Sequence, residues 1–275
     1  MADLKTFNQT ITNVRTQEYL SSVLGEKKQA FVNNMTALVS NDKALQVCDP
    51  MSLMFAALKV TSLDLPLDNN LGFAHVIPYK NNKENKIEAQ VQLGYKGIAQ
   101  LAIRSGQFEI INVTDVREGE LKGRNRMTGE LEFDWIVDDA ARLKAKVIGY
   151  VGYFKLLSGY SKTTYWSIAE LEQHGVKYSQ SFKRGYGVWK DNFDAMAKKT
   201  VLKLMLNKGD APMSVEMQQA IKYDQSVILD ENGSHRYVDN QKPSAEDKLD
   251  AIAAKEQEIE EVQEVVDIET GEVLS

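Results

Sequence analysis

The sequence has little of what builds disulfides, metal centres or membrane spans. It contains one cysteine, Cys48, and three histidines in 275 residues, so no disulfide can form within the chain and a zinc site is not expected. No apolar run approaches the roughly 20 residues that cross a bilayer, and the first ten residues lack the apolar stretch of a secretory signal. We therefore expect a protein of the reducing cytoplasm without a membrane contact, and Cys48 as a small buried side chain.

The motifs of common catalytic sites are also missing. The sequence has no Gly-x-x-x-x-Gly-Lys-Ser/Thr phosphate loop, no Gly-x-Ser-x-Gly nucleophile elbow and no His-Glu-x-x-His zinc pair. Carboxylates cluster at 134–139 and at 191–194, and a metal-dependent nuclease would use such groups to hold two metal ions. Acidic clusters more often form solvated faces, so no hydrolytic site stands out and we predict that the protein is not an enzyme, with the nuclease as an alternative.

Charge is unevenly distributed along the chain. Residues 240–275 carry three lysines against eleven Asp or Glu, so of the net charge of −6 this segment supplies −8 and leaves +2 for residues 1–239. Within that near-neutral part, residues 177–208 carry eight Lys or Arg against two Asp, a net of +6. A basic segment on a near-neutral body indicates a site for a polyanion.

Hydrophobic periodicity and turn residues predict an α+β fold, in which an antiparallel sheet with hairpins has helices packed around it. Three regions are expected: N-terminal helices over 1–47 that contact other subunits, a core over 48–225 that carries the candidate site, and a linker with a flexible acidic tail over 226–275. The predicted helices are 26–39, 51–63, 94–104, 188–206 and 212–223, and the predicted strands are the hairpin of 73–79 with 86–93, the strand 108–116 and the hairpin of 146–157 with 160–166.

Local signals fix two helix starts. Asp49 followed by Pro50 is typical of an N-cap and a first helical residue. Ser167 with Glu170 three residues on predicts a capping box.

The segment from Lys177 to Lys190 alternates basic residues with aromatic ones. Proteins that bind single strands without sequence preference combine cations, which neutralise phosphates, with rings that stack on bases. As an alternative, Phe182 and Trp189 would anchor the segment in the core and the cations would only solubilise a loop. The candidate DNA-binding residues here are Phe182, Lys183, Arg184, Tyr186 and Lys190.

The helix that follows carries lysines beside an apolar stripe. Apolar residues recur at spacings of four, and Lys198, Lys199 and Lys203 lie mostly off that stripe. A helix buried on one side with lysines on the other would line a groove for a nucleic-acid backbone. A solvated basic face is the alternative.

A second candidate is the helix that begins near Gly94. The N-terminus of a helix offers free N–H groups to an anion, and Gly94 and Gly97 are expected to let a phosphate approach. Tyr95 and Lys96 would supply a ring and a charge beside it, while Arg104 would serve a different point on the strand.

A third candidate is the charged, glycine-containing segment 117–130, which is expected to be a loop or a mobile hairpin. It would either reach over a bound strand or remain idle. Its basic residues are Arg117, Lys122, Arg124 and Arg126.

Two long strings of this sequence resemble the RecT family. LGYKGIAQLAIRSG at 93–106, followed by a strand that ends in VTDV at 113–116, is similar to one signature of that family. WKDNFDAMAKKTVLK at 189–203 is similar to the second, in the expected order and at about the expected distance. Two such strings are far more specific than a short glycine motif, and the resemblance covers roughly residues 50–225.

The resemblance implies a phage-type single-strand annealing protein that acts in homologous recombination in the cytoplasm of a bacterial host. Such a protein binds single-stranded DNA and the annealed duplex, assembles into a helical or ring-shaped homo-oligomer, and pairs complementary strands. It needs no ATP or other cofactor, which agrees with the missing phosphate loop. Its implied partners are a phage exonuclease and the host single-strand binding protein. A passive single-stranded DNA-binding protein is the alternative that the residues alone do not exclude. The two signatures would place Tyr95, Lys96, Arg104, Lys190, Lys198, Lys199 and Lys203 on the DNA.

Overall fold

Helices and antiparallel strands alternate along the chain. The computed structural model describes residues 4–81, 84–125, 127–207, 211–230 and 234–237. The helices are α1 Leu4–Thr12, α2 Val14–Leu24, α3 Lys28–Asn41, α4 Pro50–Ser62, α5 Tyr95–Arg104, α6 Asp139–Lys144, α7 Ile168–Tyr178, α8 Gln180–Lys183, α9 Val188–Asp191, α10 Phe193–Asn207 and α11 Val215–Tyr223. The strands are β1 Ala74–Asn81, β2 Lys86–Leu93, β3 Phe108–Arg117, β4 Leu121–Arg124, β5 Leu131–Phe133, β6 Val147–Leu156, β7 Ser161–Ser167, β8 Ser226–Ile228 and β9 His235–Tyr237.

The strands form three sheets rather than one. The first has the order β1-β2-β8-β9, the second has the order β3-β6-β7, and the third is the hairpin of β4 with β5. Every pairing in them is antiparallel. Helix α10 packs on the second sheet at Gly152, where an added Cβ would come within 3.1 Å of Val201 and Met205. The α+β fold class predicted from the sequence is confirmed.

Both hairpins that the alternating pattern predicted are confirmed. Strands β1 and β2 pair from Ala74 opposite Leu93 to Asn81 opposite Lys86. Strands β6 and β7 pair over 149–155 and 161–167, and Gly159 takes the positive φ of +91° that their turn requires. The segment after β3, expected to be a loop or a hairpin, forms the hairpin of β4 with β5.

Both predicted helix starts are confirmed, because the caps are local. The Asp49 carboxylate accepts a hydrogen bond from the Ser52 N–H at 2.8 Å, with Pro50 as the first helical residue. Ser167 and Glu170 form the reciprocal capping box at the start of α7.

The N-terminal helices contribute to the main apolar core. Phe7, Leu20 and Met35, one from each of α1, α2 and α3, are at most 1% exposed and belong to the same cluster as the buried face of α4. Cys48 lies in this cluster too, and burial, followed by the nearby carboxylates of Asp42 and Asp49, raises the pKa of its thiol to about 12. Cys48 is therefore the buried side chain that was expected, and removal of residues 1–47 would expose core.

Two predicted boundaries were wrong. The helix expected over 188–206 is divided at Asn192, which leaves the helical region of backbone space and accepts a hydrogen bond from the Ala195 N–H at 3.3 Å. Residues 226–228, expected to begin a linker, form β8, which is buried and pairs with β2. The predicted acidic tail over 240–275 lies outside the described residues. Within the described ranges, no helix is both long and apolar enough to cross a membrane.

Candidate nucleic-acid interface

A cleft of about 630 Å³ opens between the β1–β2 hairpin and the segment from Ser179 to Trp189. We call it the interface cleft. It contains two of the predicted site residues, Arg184 and Tyr186, and a group of residues that the sequence did not single out. Its lining is Ile77, Pro78, Tyr79, Lys80, Gln90, Gln92, Ser179, Gln180, Ser181, Arg184, Tyr186, Gly187, Val188, Trp189, Met196 and Gln225.

The outer wall of the interface cleft is the turn between α8 and α9. Gly185 and Gly187 have φ angles of +82° and +91°, which glycine adopts without strain. The turn leaves Tyr186 56% exposed. It also leaves Lys183, Arg184 and Lys190 exposed in the same segment, and Lys80 on β1 is exposed too. Of these four, Lys80 and Arg184 line the interface cleft, whereas Lys183 and Lys190 do not. We call the four together the cationic rim.

The same segment is anchored by aromatic residues packed beneath it. Trp189 is 5% exposed, and its ring lies 5.6 Å from that of Phe182 and 6.4 Å from that of His174. Phe182 packs so closely on Gly175 that an added Cβ there would lie 2.8 Å from its ring. Burial, followed by the charges of Lys203 and Lys177, lowers the pKa of His174. Phe182 thus anchors the wall from inside, which is the alternative raised for it from the sequence.

The floor of the interface cleft is polar and comes from β2. Gln90 and Gln92, which line the cleft, alternate along the strand with apolar residues of the main core, and both are 7% exposed. The Gln92 amide nitrogen donates to the Met196 sulfur at 3.6 Å. The alternation of polar and apolar residues along β2 was visible in the sequence, but such a pattern predicts that the polar face is exposed to solvent. That this face is covered is seen only in the fold, where residues 179–196 pack over it.

Lys199 does not lie on a solvent-facing side of α10, contrary to expectation. It is 4% exposed, and its ammonium nitrogen lies 2.8 Å from the Asp224 carboxylate. That carboxylate also bonds Lys203 at 2.7 Å and accepts from the Leu93 N–H at 2.9 Å. Burial opposes ionisation of Asp224, but the charges of Lys199 and Lys203 outweigh it and lower its pKa to about 2. The helix is covered on more sides than its apolar stripe suggested.

Lys198 joins the two signature strings in space. Its ammonium nitrogen lies 5.8 Å from the centre of the Tyr95 ring and 2.9 Å from the Asp194 carboxylate one turn earlier. Its side chain is 20% exposed and that of Lys203 is 26% exposed. Both lysines therefore keep a partial approach to solvent, while each already has an acidic partner.

The start of α5 is closed by the chain itself. An added Cβ on Gly94 would lie 2.0 Å from the Gly72 carbonyl oxygen, and one on Gly97 would lie 2.1 Å from that of Phe73. Both glycines thus permit backbone to approach backbone, which accounts for them within the fold, and a phosphate at the N–H groups of the first turn of α5 stays a prediction. Lys96 remains exposed, with its ammonium nitrogen 3.5 Å from the Leu71 carbonyl oxygen.

Arg104 ties α5 to the end of α4. Its guanidinium donates to the carbonyl oxygens of Leu63 and Asp64 and pairs with the Asp64 carboxylate at 3.4 Å. It thereby supplies hydrogen-bond donors to carbonyl oxygens at the C-terminus of α4, where a positive charge is also favoured by the helix dipole. It does not line the interface cleft.

The cations of the third candidate have partners within the fold. Arg117 bonds the Asp115 carboxylate at 2.7 Å and is 17% exposed, whereas Lys122 is 51% exposed and 3.6 Å from a carboxylate oxygen of Asp134. Arg124 lies 3.8 Å from a Glu170 oxygen. Arg126 lies outside the described residues. Arg117, Lys122 and Arg124 are not part of the interface cleft's lining.

Comparison with known proteins gives the chain a family. The protein-family model described as RecT family matches residues 29–242 of the chain. The chain is 40% identical to Uncharacterized protein YqaK of Bacillus subtilis (strain 168) over 239 residues, which cover 85% of this chain and 78% of that protein. It is 29% identical to Protein RecT of Escherichia coli (strain K12) over 194 residues, which cover 68% of this chain and 67% of that protein. The chain therefore belongs to the RecT family of phage-type single-strand annealing proteins.

Proposed function

We propose that the protein binds single-stranded DNA along the interface cleft and pairs it with a complementary strand without ATP. The observation that carries the proposal is that the exposed cations Lys80 and Arg184 and the exposed Tyr186 line a cleft of about 630 Å³, with Lys183 and Lys190 exposed in the same segment as Arg184. Cations neutralise phosphates and rings stack on bases, so this surface suits a strand of any sequence. Membership of the RecT family supports the same function.

Annealing requires two polyanions to approach each other with their bases available. The cationic rim would neutralise phosphates of the first strand and leave most of its bases facing outward. Watson–Crick pairing with the second strand then supplies both the sequence recognition and the free energy of the reaction. The protein needs no nucleotide in this scheme and is not an enzyme that cleaves or joins DNA.

The test is to mix complementary oligonucleotides without ATP and to follow duplex formation by energy transfer between end labels. We expect the protein to accelerate pairing and to leave the length of each strand unchanged. A passive single-strand binding protein would instead slow pairing. A nuclease would shorten a labelled strand when Mg²⁺ or Mn²⁺ is added. Either of these results would contradict the proposal.

We further propose a helical or ring-shaped homo-oligomer in which α2 contacts a neighbouring subunit. Its Val14 and Val23 are 69% and 54% exposed although they are large and apolar. Replacing both by aspartate should yield monomers in light scattering and slow annealing on the order of 100-fold, because the avidity of linked sites is lost. Val215→Asp, at a residue that is also 69% exposed, is the matched control. Oligomers of unchanged size in the double variant would refute the contact.

The partners would be a phage exonuclease, which exposes the strand, and the host single-strand binding protein, which must yield it. The site of action would be the cytoplasm of the bacterial host. The acidic segment 240–275, with its net charge of −8, would contact one of these partners.

A further inference from the structure

The Gln90 side chain lies at the floor of the interface cleft and is 7% exposed. Within the part of the chain that the structure describes, it makes no side-chain hydrogen bond. Its amide atoms are not sealed in packed protein but reach the open cavity, where they can bond to water or to a ligand. A ligand that enters the cavity and displaces that water would have to offer hydrogen-bonding groups of its own, because a buried amide without a hydrogen bond is costly.

The distribution of charge decides which part of a DNA strand enters. Lys80 and Arg184 belong to the exposed cationic rim, whereas Gln90 and Gln92 on the floor are neutral. A phosphate on the floor would be a buried charge beside neutral amides, because the buried Lys199 is already paired with Asp224. A nucleobase is flat and neutral and carries donors and acceptors on its edge.

We propose that a base of the bound strand turns into the interface cleft, where the Gln90 amide bonds to its edge while the phosphates stay at the cationic rim. This inference rests on the proposed binding of single-stranded DNA in that cleft. Tyr79 and Tyr186 line the same cavity and offer rings for stacking. An amide presents one acceptor and two donors, so it pairs with the edge of any base and imposes no sequence preference.

The consequence for annealing is that a base held in this way is withheld from pairing until it leaves the cleft. Pairing would start at the exposed bases on either side and would then draw the held base out. The hold must therefore be weak, as expected for a neutral amide rather than a charged group.

The experiment compares the full chain's affinity for oligo(dT) with that for an oligonucleotide of equal length made of abasic sites. Fluorescence anisotropy should show that the wild-type protein binds oligo(dT) about tenfold more tightly, since a stacked base adds affinity that a bare backbone lacks. Gln90→Leu keeps the length of the side chain without its hydrogen bonds. It should weaken binding of oligo(dT) about fivefold and leave the abasic strand unaffected. Gln173→Leu, at an exposed glutamine of α7, is the control and should change neither.

Two results would overturn the inference alone. One is an unchanged affinity of folded Gln90→Leu for oligo(dT), and the other is an equal loss on both strands in that variant, which would place the amide on the backbone. If Gln90→Leu does not fold, as judged by circular dichroism, Gln90→Asn, which keeps the amide and draws it back by one methylene, should show the same selective loss on oligo(dT). If the wild-type protein binds neither strand, the proposed function fails, and this inference fails with it.

Discussion

Replacing Asp224 by asparagine is expected to lower the free energy of unfolding by about 3–5 kcal/mol, the usual cost of removing one partner from a buried ion pair. The Asp224 carboxylate holds Lys199 and Lys203 of α10 and the backbone N–H of Leu93 at the end of β2. Asparagine keeps the shape and loses the charge, so Lys199 would remain buried without an anion. Urea unfolding monitored by circular dichroism measures the change.

The same carboxylate predicts how stability depends on acid. Its pKa is about 2 in the folded protein against an ordinary value of 3.8, so the folded state binds fewer protons. The ionised Asp224 therefore adds to the free energy of unfolding. This stabilisation is nearly complete above about pH 4 and is lost as the pH falls from there towards 2. It amounts to roughly 2 kcal/mol, and the Asp224→Asn variant should lack this part of the acid dependence.

The control is an ion pair of the same kind at the surface. Lys122 and Asp134 lie 3.6 Å apart with side chains that are 51% and 75% exposed. Asp134→Asn should change the free energy of unfolding by less than about 1 kcal/mol. If both variants lose equally little, Asp224 does not organise the junction of β2 with α10 as described.

The second large effect concerns DNA. Changing Lys183, Arg184 and Lys190 of the cationic rim to glutamine should weaken binding of oligo(dT) about 100-fold at 0.1 M salt. Each phosphate contact with a single strand changes affinity by about 0.7 log units per tenfold change in salt. Between about 1 M salt, where the contribution of the contacts vanishes, and 0.1 M, three contacts therefore contribute about two log units, and the variant loses them. The slope of log affinity against log salt should become shallower by about 2.

A matched triple variant separates the cationic rim from the net charge of the protein. Lys43, Lys144 and Lys146 are exposed on other parts of the fold, and their change to glutamine removes the same three charges. We expect little loss of affinity and an unchanged salt slope for this control. Equal losses in the two variants would mean that the DNA responds to overall charge and not to the interface cleft.

Features that depend on neighbouring residues could be predicted from the sequence. The caps at Asp49 and Ser167 involve partners three residues away, and the hairpins follow from alternation and turn residues. The basic and aromatic composition of 177–190 directed attention to one wall of the interface cleft. Arg184 and Tyr186 do line it, but their contact with DNA stays a prediction.

Features that depend on distant partners could not be predicted. Lys199 meets an acid 25 residues further on, and the Leu93 N–H meets the same acid 131 residues away. The polar residues of β2, Gln90 among them, alternate with apolar ones as in a strand with one face in water. The segment that covers this face lies about 90 residues later in the chain, so the sequence did not show that it is covered. Gly97 was expected to let a phosphate approach. The sequence did not show that the Phe73 backbone packs against it, because that contact exists only in the folded chain.

The central claim is that the single strand lies in the interface cleft. The most direct measurement is ultraviolet cross-linking of the full chain to an oligonucleotide that contains 4-thiothymidine, with the attached peptides identified by mass spectrometry. We expect the cross-linked residues to fall within 77–92 and 179–190. Cross-links confined to other surfaces, such as the 42%-exposed Trp135 after β5, would contradict the account.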